Sequence, residues 1–171
     1  MNNLYQFCDI MIDFVKIPKK RLDFIKDNYK ELERLEDFTE TQIDVSDIIE
    51  IKGDGLNVFK AKNIIKAFAR GFSLEDAFDL LDDEKYLEII ELSDHAKSPQ
   101  RMKIIKSRLI GTKGKAKRKI QEFTETKISI YGKTVSIIGN WEKLNISKEA
   151  ILMLINGCSH TTLYKWLESK C

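Results

Sequence analysis

The sequence predicts an α+β fold built twice: two small domains, residues 1–82 and 83–171, each a three-stranded antiparallel sheet with helices on one face. Three observations carry this. The first is an internal repeat: Phe-Thr-Glu-Thr at residues 38–41 recurs at 123–126, and Ile43 matches Ile128 at the same spacing. Further along, Ile49, Ile51 and Gly53 correspond to Val135, Ile137 and Gly139, Gly71 and Ser73 to Gly157 and Ser159, and Phe78 to Tyr164. The second is that both halves show the same succession of strand-like and helix-like periodicity. The third is size and composition. A chain of 171 residues, 43% apolar and 33% charged with two prolines, suits one ordinary domain or two small ones and not a disordered or low-complexity chain.

In the first half, Cys8, Ile10, Ile12 and Phe14 put apolar side chains at every second position, which reads as a strand. Pro18 suits a first helical turn, where its missing N–H has no partner to lose. A short helix to about residue 26, a break, and a helix over 30–38 follow. Residues 41–46 and 48–52 read as strands, and Gly53-Asp54-Gly55 as a turn. A long helix over 58–70 stops at Gly71, and Ser73 caps a last helix over 74–81. The acidic Asp82-Asp83-Glu84 reads as a solvated connection rather than a metal site.

The second half repeats the order. Residues 86–92 form the opening strand, and Ser98-Pro99 start a helix reaching Ile110. A Gly-rich break precedes a helix over 115–123. Strands at 127–131 and 134–138 flank a turn at Tyr131-Gly132-Lys133. A helix over 147–156 ends at Gly157, and a final helix over 161–168 buries Leu163, Tyr164 and Leu167.

The total of 29 basic and 27 acidic residues conceals an asymmetry. Residues 1–82 hold 12 basic and 17 acidic side chains, a net of −5; residues 83–171 hold 17 and 10, a net of +7. Residues 95–121 carry ten Lys or Arg and no acid. Inside that segment lies Gly111-Thr112-Lys113-Gly114, two glycines flanking two polar residues between helices. Glycine permits tight turns and close approach of a phosphate chain, and the N–H groups opening the next helix favour an anion. Arg108, Lys113, Lys115, Lys117 and Arg118 would line the backbone path. Ile110, adjoining the loop, and Lys127, opening the neighbouring strand, complete the expected RNA-binding set with Gly111, Thr112 and Gly114. The aligned segment of the first half, Lys26-Asp27-Asn28-Tyr29, lacks both glycines and carries a repelling carboxylate.

The loop resembles the G-x-x-G of KH domains, which clamps about four nucleotides of single-stranded nucleic acid. Since two strands and a long helix follow it, the topology matches type I. Over nearly its whole length the chain is similar to the archaeal KH-domain rRNA-processing proteins, relatives of the eukaryotic Dim, Pno and Krr pre-ribosomal factors. The resemblance rests on Val15-Lys16-Ile17-Pro18, on Ala67 to Ala77, on Arg108 to Lys115, on Ile130 to Gly139 and on Leu154 to Tyr164. Thr161 departs from the Gly expected after the histidine. The resemblance implies a non-enzymatic, cytoplasmic factor of small-subunit assembly that needs no cofactor. Its second domain would bind the 3′ region of 16S-type rRNA, and it can associate with the initiation factor two α subunit and other pre-ribosomal factors. A transcription factor of the NusA type and a protein-interaction adapter in translation initiation are the alternatives.

The remaining residues suggest no chemistry. There is no nucleophile motif, Walker loop or carboxylate–histidine set, and Cys158 with His160 has no second ligand pair for zinc. His160 reads as support for a helix start, His95 as exposed, and Trp141 and Trp166 as packing residues. Cys8, Cys158 and Cys171 read as free thiols of a reducing compartment. The opening MNNLYQFCD lacks the features of a signal peptide, and no apolar run approaches the length of a membrane helix.

Overall fold

The computed structural model describes residues 10–170. Cys8 and Cys171 lie outside them. The chain forms two compact units, one ending at Ala69 and the other beginning at Arg70. The repeat and the packing therefore divide the chain at different places, because residues 70–81 belong by contact to the second unit.

In the first unit, β1 (Ile10–Val15), α1 (Lys19–Asp27), α2 (Tyr29–Thr39), β2 (Gln42–Val45), β3 (Ile49–Asp54) and α3 (Gly55–Ala69) follow one another. The sheet order is β1-β3-β2, antiparallel throughout. Pro18 precedes α1 as its cap residue rather than sitting inside the first turn. Gly53 and Gly55 make no separate turn, since β3 runs directly into α3. The alternation that identifies β1 points its apolar set outward. Ile10 is 77% and Phe14 57% exposed, while Val15 on the other face is buried beneath the helices. On that inner face Asp13 accepts from Lys62 of α3 at 2.5 Å.

The second unit opens with residues 70–73, then α4 (Leu74–Ala77) and a 3-10 turn (Phe78–Leu81). There follow β4 (Lys85–Glu91), α5 (Pro99–Ile110), a 3-10 turn (Thr112–Gly114), α6 (Lys115–Thr124), β5 (Lys127–Tyr131), β6 (Thr134–Asn140), α7 (Trp141–Ile155) and α8 (His160–Glu168). The sheet order β4-β6-β5 is again antiparallel. Ile105, Leu109, Ile120, Ile128, Val135, Ile137, Leu144, Ile151 and Leu163 form the core between sheet and helices. Ser98 accepts from the Arg101 N–H at 3.2 Å, capping α5 with Pro99 in its first turn.

α7 begins at Trp141, six residues before the expected start, because β6 passes straight into the helix through Asn140. Trp141 is consequently 62% exposed, its ring meeting Tyr86 edge-on at 6.0 Å, and is not a core residue. Tyr164 is half-buried, with Lys119 4.7 Å above its ring.

The repeated Phe-Thr-Glu-Thr has a structural cause. Glu40 and Glu125 both end a helix in the left-handed region, at φ 49° and 50°. On either side of each, paired threonines hydrogen-bond across the turn, Thr39 with Thr41 at 2.7 Å and Thr124 with Thr126 at 2.8 Å. Thr39 and Thr124 are also bonded to the carbonyls of Leu35 and Ile120, closing the last helical turn. The motif is a helix-to-strand joint, and its recurrence marks duplicated architecture rather than duplicated chemistry.

Residues 70–81 lie along β5. Ser129 Oγ donates to the Arg70 carbonyl at 2.9 Å, and Lys127 Nζ pairs with Asp76 at 2.9 Å and Asp79 at 3.0 Å. Arg70 pairs with Glu91 at 3.4 Å.

Candidate nucleic-acid interface

The loop after α5 has the backbone its glycines predict. Gly111 sits at φ 71°, Lys113 at φ 51° and Gly114 at φ 76°, so three of four successive residues adopt positive φ. A side chain at Gly111 would meet Ala116 of α6, its Cβ at 2.7 Å and its N at 2.8 Å, which makes glycine obligatory there. Nothing stands within 4 Å of a Cβ on Gly114, and that side stays open. The Gly114 N–H donates to the Gly111 carbonyl at 3.1 Å, and Arg118 reaches back to the Lys113 carbonyl at 3.1 Å. The loop is thereby a fixed, tight turn at the N-terminus of a ten-residue helix, whose first-turn N–H groups supply positive potential.

Thr112, Lys113 and Lys115 are exposed, and Ile110 is exposed beside them. Arg118 is exposed too, but part of its hydrogen-bonding capacity braces the loop. Lys117 is half-buried on α6.

Two of the expected cations are committed elsewhere. The Arg108 guanidinium donates to the carbonyl of Leu154 in the last turn of α7 at 3.2 Å and to that of Cys158 beyond the helix. It fastens α5 to the α7–α8 joint. Lys127 faces Asp76 and Asp79. Burial would raise the Asp76 carboxyl, but hydrogen bonds from Lys127 and Ser73, with the charges of Lys127 and Lys117, hold it below its ordinary 3.8. Burial likewise opposes the Lys127 charge, but the bonds to Asp76 and Asp79 outweigh it and hold the ammonium above 10.5.

A pH dependence follows. A depressed carboxylate stabilises above its unfolded pKa, and that stability is lost as pH falls through the folded value. A raised ammonium stabilises below its unfolded pKa and loses that stability as pH rises through the folded value. The attachment of residues 70–81 to β5 should therefore be strongest between about pH 4 and pH 10. Hydrogen-exchange protection across residues 74–81, taken relative to the intrinsic rate at each pH, should decrease below pH 3.8, and Asp76→Asn should flatten that acid limb.

The corresponding joint of the first unit is a single residue. Asn28 separates α1 from α2 at φ −118°, with its side-chain amide on the Phe24 carbonyl at 2.8 Å. The backbone cradle is absent there, not only the glycines.

Sequence reasoning missed a second feature. Beside the loop lies a groove of about 360 Å³ between one face of α5 and the start of α8. Gln100, Lys103, Ile104, Ser107 and Arg108 line it from α5, Gly111 and Thr112 from the loop, and His160 from α8. His160 does not cap the start of α8, where Ser159 is the cap; its Nε2 lies 2.8 Å from the Arg108 carbonyl in the last turn of α5, and its ring forms the groove wall. The available signal was the spacing 100, 103, 104, 107, which places one helix face beside the loop.

Cys158 carries a free thiol, and no helix among the described residues is long and apolar enough to cross a membrane.

Residues 86–171 match the family model described as the eukaryotic type KH-domain, KH-domain type I. A KH domain-containing protein of Methanocaldococcus jannaschii is 39% identical over 168 residues, covering 94% of this chain and 74% of the relative. The pre-rRNA-processing protein PNO1 of Chaetomium thermophilum is 26% identical over 161 residues, and the chain spans 62% of that protein's length. Among solved structures, a chain in the a/eIF2alpha–aDim2p–rRNA complex of Pyrococcus horikoshii superposes with a TM-score of 0.85 at 37% identity, covering 96% of each chain.

Proposed function

The chain belongs to the PNO1-type KH-domain family of KH type I, and from that premise we propose that it is a non-enzymatic RNA-binding factor of small-subunit biogenesis. In this reading both units are type I KH domains, and the second binds single-stranded small-subunit rRNA near its 3′ end, assisting pre-rRNA processing. The observation that carries it is the loop at residues 111–114, a positive-φ turn at a helix N-terminus within a segment of ten basic residues and no acid. Strand order supports type I over the NusA arrangement, since one strand and one helix precede the loop and two strands and a helix follow it.

The geometry supports the following contact set within this reading. Thr112, Lys113, Lys115 and the glycines take the phosphate backbone, Ile110 and Lys117 flank it, and Arg118 holds the turn. Arg108 and Lys127 act on the frame: one anchors α5, the other binds the acidic segment to β5. The first unit, without a cradle and with Ile10, Ile12 and Phe14 exposed on β1, serves protein contact in this reading. The complex containing aDim2p supports association with the α subunit of initiation factor two. The site of action is the cytoplasm.

Crosslinking in native extract with sequencing of the attached RNA tests the assignment. Reads should concentrate at the small-subunit rRNA 3′ end; messenger or nascent transcripts in their place would overturn it. Affinity for that RNA should fall steeply with salt, as phosphate contacts release counterions.

A further inference from the structure

We propose that the groove between α5 and α8 is a nucleobase subsite, holding the nucleotide next to those clamped at residues 111–114, with His160 as its recognition residue. This rests on the RNA-binding reading above and extends it to a residue outside the strand–helix–helix–strand–strand–helix unit.

The groove has the chemistry of a base site. A nucleobase presents a flat apolar face and an edge of hydrogen-bond donors and acceptors. Ile104, 43% exposed, supplies an aliphatic floor. Gln100 and Ser107 supply groups that both donate and accept. The volume of about 360 Å³ is that of a small-ligand cleft. Lys103 adds positive charge, and no carboxylate lines the groove, which suits a polyanionic strand. Gly111 and Thr112 belong to groove and loop alike, so a strand on the loop reaches the groove without a break. A docked peptide helix would require a row of apolar contacts, and among the lining residues Ile104 is the one large aliphatic side chain.

His160 is fixed before any ligand arrives. It occupies the first turn of α8, where Ser159 caps the helix by accepting from the Thr162 N–H at 3.1 Å. The Arg108 carbonyl can only accept, so His160 Nε2 carries the proton of that 2.8 Å bond. In the neutral ring Nδ1 is then an acceptor, suited to an exocyclic amine or ring N–H of a base. Tyr164, 6.2 Å from the imidazole centroid, backs the ring. Fixed geometry of this kind lowers the ordering cost of binding.

The test uses overlapping tetranucleotides tiled over the small-subunit rRNA 3′ end, the best of them then lengthened by one 2-aminopurine at its 5′ or 3′ terminus. Wild-type protein should bind one of the lengthened RNAs about tenfold more tightly, as a stacked base contributes in single-strand sites, and should quench its fluorescence. In His160→Gln the amide nitrogen can still donate to the Arg108 carbonyl, so thermal stability and tetranucleotide affinity should hold while the tenfold gain and the quenching vanish. Ile104→Ser, which leaves that hydrogen bond untouched, should give the same loss. Equal affinity of wild type for tetranucleotide and both lengthened RNAs would overturn the subsite alone, as would a full gain retained by both variants. Failure of wild type to bind any of these RNAs would overturn the clamp, and the subsite with it.

Discussion

Replacing Thr112 and Lys113 together by Asp is expected to weaken single-stranded RNA binding by about a hundredfold at constant salt, with the fold intact. The substitution changes the charge at the loop from +1 to −2 where the phosphates would run. At about 6 Å and an effective dielectric constant near 20, one pair of unit charges interacts by about 3 kcal/mol. Salt screening reduces this, and a hundredfold loss corresponds to about 2.7 kcal/mol for the three-unit change. The backbone should tolerate it. Both side chains are exposed, and Asp accepts the left-handed conformation of residue 113 better than most residues. The glycines and the Arg118 bond to the residue 113 carbonyl remain. Fluorescence anisotropy against an rRNA 3′-end oligonucleotide checks the affinity, and thermal melting checks the fold. Unchanged affinity in a folded variant would remove residues 111–114 from the interface.

How far this site was legible depended on the range of the interactions that build it. The loop at residues 111–114 was visible because its requirements are local: two glycines, a basic neighbourhood, a helix on each side. The helix-to-strand joints at Thr39–Thr41 and Thr124–Thr126 were visible as a repeat for the same reason. Arg108 and Lys127, both named as RNA-contacting cations, carry intramolecular partners that no local pattern reveals, because those partners are distant in sequence. Arg108 meets carbonyls 46 and 50 residues later, and Lys127 meets carboxylates contributed by the end of the first repeat. A count of charges cannot reveal a cation neutralised across a fold. Periodicity located β1 but not which of its faces would be covered, and Ile10, Ile12 and Phe14 point to solvent. The start of α7 was misplaced because Trp141 is an unremarkable first residue for a helix, and the Asn140 side chain makes no capping bond.

Gly71 and Gly157 offer a sharper measure of what the second unit does with the repeat. They occupy equivalent positions after equivalent helices and share one conformation, at φ 98° and 97°. Either one replaced by Ala should incur the strain of an L-residue there, about 1–2 kcal/mol. Their surroundings differ. Nothing stands within 4 Å of a Cβ on Gly157, whereas one on Gly71 would lie 2.6 Å from Tyr131 Cβ and 2.7 Å from Ser129 Oγ. Tyr131 Cβ is fixed to the backbone of β5 and cannot swing away, so either the strand shifts or residues 70–81 lift from it. Lifting forfeits the Ser129 bond to Arg70 and both Lys127 ion pairs. The combined expectation for Gly71→Ala is a loss of about 3 kcal/mol, against about 1 kcal/mol for Gly157→Ala, in urea unfolding. Equal losses would mean that the close packing of residues 70–81 on β5 contributes nothing to stability. The same variant separates frame from interface. If RNA is held at residues 111–114, Gly71→Ala should lose stability without losing RNA affinity under folding conditions, because it frees Lys127 and touches no loop residue.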